Sequence, residues 1–207
     1  MRLLNSEHMS QSDQILALAR HRRVLRAADL REHGWSPQLL LKLHHAGKLQ
    51  RTARGLYSLP DAELTEHQTL IEVCKRVPKA VLCLLSALQF HGIGTQMPYE
   101  VWVALPEATQ TPALDYPTLR IARLRGEAYS AGIQTVTEQG SPIRVYSVAK
   151  TVTDCFKFRN KIGLDVALEA LKDAWRNRLV TMDELNHFAR INRVERVMQP
   201  YLEAVMA

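Results

Sequence analysis

The stretch SPQLLLKLHHAGKLQRTARGLYSL, residues 36–59, decides how this chain is read. Ser36-Pro37 opens a helix, because serine is a good N-cap and proline at the first helical position has no N–H to lose. Leu39, Leu40 and Leu43 recur at helical spacing, which predicts a helix over Gln38–Ala46 with those leucines inward. Gly47 stops it by accepting a left-handed backbone. Lys48–Thr52 and Leu56–Leu59 then flank Ala53-Arg54-Gly55, the pattern of a hairpin. Leu49, Leu56 and Leu59 face its core, while Arg51 and Arg54 lie at or beside the tip. Pro60 ends the second strand.

Upstream, Ile15, Leu16, Leu18 and Ala19 predict a helix over Ser12–Arg23, capped by Ser12 or Asp13. Val24-Leu25 reads as a short strand. Ala27–His33 reads as a second helix with Leu30 inward, closed by Gly34. Three helices followed by a hairpin is the order of a winged helix-turn-helix, here expected over residues 11–60. Residues 1–10 are expected to be a disordered tail or tag remnant, with Met9 an alternative start.

Charge supports that division. The chain of 207 residues carries a formal net charge of +6. Residues 1–60 hold ten Lys and Arg against four Asp and Glu, and the remainder holds seventeen of each. A basic segment joined to a neutral one implies a polyanion-binding module carried by a second body. On this reading Ser36 and the helix N-terminus hold a phosphate, and Gln38 contacts an adenine edge. His44 and His45 share the outer face. Lys42, Lys48, Arg51 and Arg54 suit phosphates, as does the basic cluster Arg22, Arg23 and Arg26. Arg54 at the tip could instead enter a minor groove. The partner is double-stranded DNA, bound by a monomer or a dimer.

Residues 61–207 are expected to form one α+β domain, with a small, mostly antiparallel sheet packed by helices. Helices are predicted over Thr65–Val77, Ser86–His91, from Ser147, over Leu164–Arg176, after a Thr181/Glu184 capping box, and from Arg193 to Val205. Strand-like runs are Val81–Leu85, Val101–Leu105, Leu119–Leu124, Ile133–Val136 and Ile143–Tyr146. Lys150, Lys157, Arg159 and Lys161 form a second basic cluster, a candidate contact for a toxin or a further phosphate. Lys150 and Asp154, at i and i+4, read as a surface ion pair or a buried structural one.

Enzymatic signals are missing from the sequence. There is no P-loop, GxGxxG, HExxH or nucleophile elbow, and Ser86 with His91 lacks the motif that would make them a catalytic pair. Neither a catalytic residue, a cofactor nor a metal is expected, and His44-His45 has no companion ligands. Cys74, Cys83 and Cys155 form no CxxC pair and read as inert thiols of a reducing compartment. No signal peptide and no apolar run of spanning length is present, so a cytoplasmic protein without a membrane partner is expected.

Specific residues carry a resemblance. Asp29-Leu30, Ser36, Leu39, Leu43, Gly47-Lys48-Leu49 and Arg54-Gly55-Leu56-Tyr57 resemble the N-terminal winged helix of AbiEi-type antitoxins. Leu84-Leu85-Ser86-Ala87-Leu88 with His91-Gly92 resembles the start of that family's second domain. The run from Tyr146-Ser147 through Ala149-Lys150-Thr151-Val152, Asp154-Cys155-Phe156 and Arg159–Gly163 to Leu171 is similar to its later signature. The resemblance implies an autorepressor that binds inverted repeats in its own promoter. It also implies an antitoxin of a type IV toxin–antitoxin (abortive infection) system, neutralising a nucleotidyltransferase-like toxin. The alternatives are an orphan transcription factor, or a DNA-modifying enzyme whose activity would depend on Asp154.

Overall fold

Glycines and leucines set the frame of the N-terminal region, as the described residues 9–62, 67–114, 116–138 and 140–206 of the computed structural model make plain. Of the tail expected at residues 1–10, residues 1–8 lie outside the described residues, as does Thr65 at the start of a predicted helix. The chain divides into two units, residues 1–75 with 137–142, and residues 76–136 with 143–207. Both helices and sheets contribute, so the class is α+β.

The first unit runs α1 (Gln11–Arg22), β1 (Leu25–Arg26), α2 (Ala27–Glu32), α3 (Gln38–His45), β2 (Gln50–Ala53), β3 (Leu56–Ser58) and α4 (Gln68–Arg76), whose last residue falls in the second unit. Ser10, not Ser12 or Asp13, caps α1, accepting the Asp13 N–H at 3.2 Å. The carboxylate of Asp13 accepts the Ser10 hydroxyl in return, so Asp13 acts as the third helical residue rather than the cap. Gly34 (φ 71°) closes α2, with Trp35 N–H bonded to the Leu30 carbonyl and Gly34 N–H to that of Arg31. Gly47 (φ 68°) closes α3 in the same way, through Lys48 N–H to Leu43 and Gly47 N–H to His44. Both are Schellman caps, which need a left-handed residue just past the helix. Ser36 is not the N-cap of α3. Pro37 occupies that place in an α conformation without a side-chain cap bond, and Leu39 N–H bonds the Ser36 carbonyl instead.

The three strands form an antiparallel sheet of order β1-β3-β2, with Leu25 opposite Tyr57 and Arg51 opposite Tyr57 on the other side. The β2–β3 register shifts between Arg51 and Ala53, the signature of a β-bulge. Ile15, Ala19, Leu25, Leu30, Leu40, Leu43, Leu49 and Tyr57 share one core. Each large aliphatic side chain there contributes about 2 kcal/mol by leaving water.

The second unit holds a five-stranded sheet of order β6-β5-β4-β8-β7: β4 (Val81–Leu82), β5 (Val101–Pro106), β6 (Leu119–Leu124), β7 (Ile133–Glu138) and β8 (Ser141–Tyr146). Residues 137–142 group with the first unit. The expected mostly antiparallel sheet is corrected to a mixed one. The β4–β5 pair is antiparallel, but β4–β8 and β5–β6 are parallel. Strand composition carries no direction; the long connection from β5 to β6, and the elements that intervene between β4 and β8, permit the parallel pairings. The run expected as a strand to Leu85 breaks at Leu82, and α5 (Leu84–Phe90) starts two residues later, with Leu84 at φ 47°.

Helices α6 (Glu127–Ser130), α7 (Val148–Lys157), α8 (Arg159–Ile162), α9 (Leu164–Arg176), α10 (Met182–Asn192) and α11 (Glu195–Met206) complete the unit. The Thr181/Glu184 capping box forms as expected. Arg193 does not start the last helix; it is the left-handed C-cap of α10 (φ 58°, ψ 41°). Helix α7 is central, packed against α5, α9 and α10, and every residue from Ala149 to Phe156 is buried.

Candidate nucleic-acid interface

Helix α3 offers water one stripe. Leu40 and Leu43 are buried on the core side, which turns Gln38, Leu41, Lys42 and His45 outward, and all four are exposed. Their spacing of three, then one, then three residues places them on one helical face. Lys42, Lys48 and Arg54 are exposed, and no ion pair forms at any of them among the described residues. Arg51 is also exposed, and its Nε–H reaches only the Ala53 carbonyl at 3.4 Å. The α3 face and the β2–β3 hairpin thus carry four uncompensated cations. Ser36 lies exposed just before α3.

His44 is not part of the outer stripe. Its Nδ1–H donates to the Leu49 carbonyl at 3.0 Å, and its ring meets the edge of Tyr57 at 5.9 Å. A carbonyl can only accept, so this bond sets the tautomer. His44 ties the end of α3 to the hairpin strand.

Arg22 and Arg26, expected to contact DNA, are engaged within the first unit. Asp29 is buried and draws them inward: Arg22 Nη1 lies 3.1 Å from Asp29 Oδ1 and 3.0 Å from Glu32, and Arg26 Nε lies 3.8 Å from Asp29. The Asp29 carboxylate also accepts the Arg26 backbone N–H at 2.8 Å, closing the start of α2. Lys75 completes the cluster, 3.2 Å from Asp29 and bonded to the Val24 carbonyl, while Arg26 Nη1 bonds the Lys75 carbonyl. Burial pushes the Lys75 ammonium pKa down, and Asp29 opposes that shift. A buried carboxylate needs such partners, so these cations hold the unit together. Arg23 is half-buried at the end of α1, with a positive φ of 58°.

The second basic cluster does not assemble. Lys150 is fully buried and its Nζ holds both oxygens of Asp154, at 2.6 and 2.7 Å. It is corrected from a candidate surface contact to an internal partner. Asn192 donates to Asp154 at 2.7 Å and to Thr153 at 3.0 Å, and the Lys150 ammonium sits 4.3 Å from the Tyr146 ring centroid. Burial raises the Asp154 pKa, against the pull of Lys150 and Asn192. Arg159 donates to the Phe156 carbonyl at 2.9 Å, Lys157 is half-buried, and Lys161 is exposed with its ammonium 5.7 Å from the Phe158 ring. Ser86 and His91 serve the fold separately: Ser86 Oγ accepts the Trp102 N–H at 2.8 Å, and His91 Nε2–H donates to the Tyr146 carbonyl at 2.7 Å. Burial raises the Cys83 and Cys155 thiol pKa values, which suppresses the thiolate.

Sequence reasoning missed Leu41. It is 47% exposed although its neighbours Leu40 and Leu43 are core residues. Extending the spacing from Gln38 to Lys42 and His45 would have found it.

The geometry defines a class first: a small α/β module presenting one helix face beside a cationic hairpin. Residues 13–60, which span that module, match the family model described as a transcriptional regulator, AbiEi antitoxin. Over this segment the chain is similar to that family. No curated protein matches the chain. Among solved structures it is similar to the RV2827C protein from Mycobacterium tuberculosis, with a TM-score of 0.56 at 15% identity, covering 88% of this chain and 72% of that one. At that identity the likeness concerns the fold alone. Among the described residues, no helix is long and apolar enough to cross a membrane.

Proposed function

We propose that residues 11–60 work as a winged helix-turn-helix that binds double-stranded DNA, with α2 and α3 as the helix-turn-helix and β2–β3 as the wing. Helix α3 enters the major groove, which is about 12 Å wide and admits a helix. The observation that carries this reading is the α3 stripe set beside four uncompensated cations. Gln38, near the N-terminal end of α3, contacts an adenine edge, and Lys42 and His45 lie further along the groove. Ser36, Lys48 and Arg51 engage phosphates, and Arg54 at the wing tip reaches a phosphate or the minor groove.

The chain then acts in the cytoplasm as a sequence-specific regulator of its own promoter. Two protomers on an inverted repeat would need half-sites spaced by whole helical turns. The family match over residues 13–60 supports the regulator role and makes antitoxin activity the natural extension. In that extension the body formed by residues 61–207 serves neutralisation of a nucleotidyltransferase-like toxin.

A gel-shift of the full chain on the DNA upstream of its own reading frame tests the reading. Retardation is expected, and it should weaken on every sequence in an Arg51→Ala/Arg54→Ala variant. Gln38→Ala should instead relax preference at one base pair, by roughly 1–3 kcal/mol. Unchanged promoter binding in the double arginine variant would remove the wing from the interface.

A further inference from the structure

We propose that Leu41 reads the 5-methyl group of an operator thymine, a specificity contact that rests on the DNA reading above. Leu41 stands in the middle of the exposed α3 stripe, between Gln38 on one side and Lys42 and His45 on the other. Every other stripe residue is polar or charged, so an exposed leucine there needs an apolar partner inside a polar groove. The major groove offers one at its base edges, the thymine methyl.

Scale separates this partner from a protein. Among the described residues of the first unit, only Met9 and Leu41 are large hydrophobics left exposed. A protein interface needs a cluster of apolar anchors at its centre, whereas a single methyl needs one side chain. The surroundings agree, since Lys42, Lys48, Arg51 and Arg54 bring positive charge to the same face. Gln38 and Leu41 are separated by about 4.5 Å along the helix axis. Base pairs are stacked about 3.4 Å apart. The adenine met by Gln38 and the thymine met by Leu41 therefore lie one or two base pairs from each other.

The test compares the full chain and its Leu41→Ala variant on the upstream duplex, prepared once with thymine and once with uracil throughout. Uracil keeps every hydrogen-bonding group and lacks only the methyl. Alanine at an exposed helical position preserves α3, which circular dichroism verifies. The wild-type chain is expected to bind the uracil duplex about fourfold more weakly for each contacted methyl. Leu41→Ala should bind the thymine duplex more weakly by a similar factor and lose the discrimination. Equal binding of both duplexes by the wild-type chain overturns the proposal, and so does full discrimination retained by Leu41→Ala, which would place the effect in DNA shape. If the wild-type chain binds neither duplex at low salt, the DNA reading itself has failed.

Discussion

Removing the wing arginines should flatten the salt dependence of DNA binding, and the structure sets by how much. Each phosphate neutralised on B-DNA contributes about −0.9 to the slope of log K against log salt. If all seven cations Arg22, Arg23, Arg26, Lys42, Lys48, Arg51 and Arg54 met phosphates, the slope per protomer from this module would be about −6. Arg22 and Arg26 are instead engaged with Asp29, and Arg23 is half-buried. The four remaining cations give about −3.6. An Arg51→Ala/Arg54→Ala variant should therefore be flatter than the wild-type chain by about 1.8, whereas Arg22→Ala should leave the slope unchanged. Fluorescence anisotropy of a labelled upstream duplex, titrated across a series of potassium chloride concentrations, reads all three slopes. Circular dichroism confirms that Arg22→Ala remains folded. A loss of about one unit in Arg22→Ala, equal to that of a single wing arginine, would refute the assignment of Arg22 to the Asp29 cluster.

Further predictions concern the fold. Lys150→Met leaves the Asp154 carboxylate buried without its cation and should cost about 3–5 kcal/mol in urea unfolding, most of it recovered in Lys150→Met/Asp154→Leu. A double variant as unstable as the single would show that the pair is not the cause. Gly47→Ala should cost about 1–2 kcal/mol, because a Cβ there meets open space and only the left-handed backbone resists it. Burial holds the His91 pKa below its usual 6.5, against a hydrogen bond to the Tyr146 carbonyl that favours the charged ring. The unfolded state then binds more protons than the folded one just below pH 6.5, so stability should fall as pH drops through that range. His91→Gln should flatten that fall between pH 7.5 and 5.5; an identical pH profile would exclude His91 as its source.

Local chemistry was legible wherever the signal and its partner lie within a few residues. Gly34 and Gly47 mark the ends of α2 and α3 because a Schellman cap demands a left-handed residue there. Thr181 and Glu184 form the capping box that their spacing announced. The bounds of β6 and α9 also follow directly from apolar periodicity. Ser36 failed as a cap because Pro37 took that position. Arg193 failed as a helix start because the backbone turns left-handed there.

The sequence by itself determined that a basic three-helix-and-hairpin segment precedes a neutral body, and which residues punctuate it. Only the tertiary structure decided which charges face water. Arg22 and Arg26 look like Arg51 and Arg54 in sequence. A buried Asp29, joined by Lys75 from a helix more than forty residues away, draws the first two inward and leaves the wing pair exposed. Lys150 likewise looks like Lys161, yet α7 runs through the core and Lys150 must find its partner inside. Leu41 shows the converse case, a leucine that the rotation of α3 turns outward. Charge is a property of a residue, but its availability depends on the dielectric and the partners that folding assembles around it.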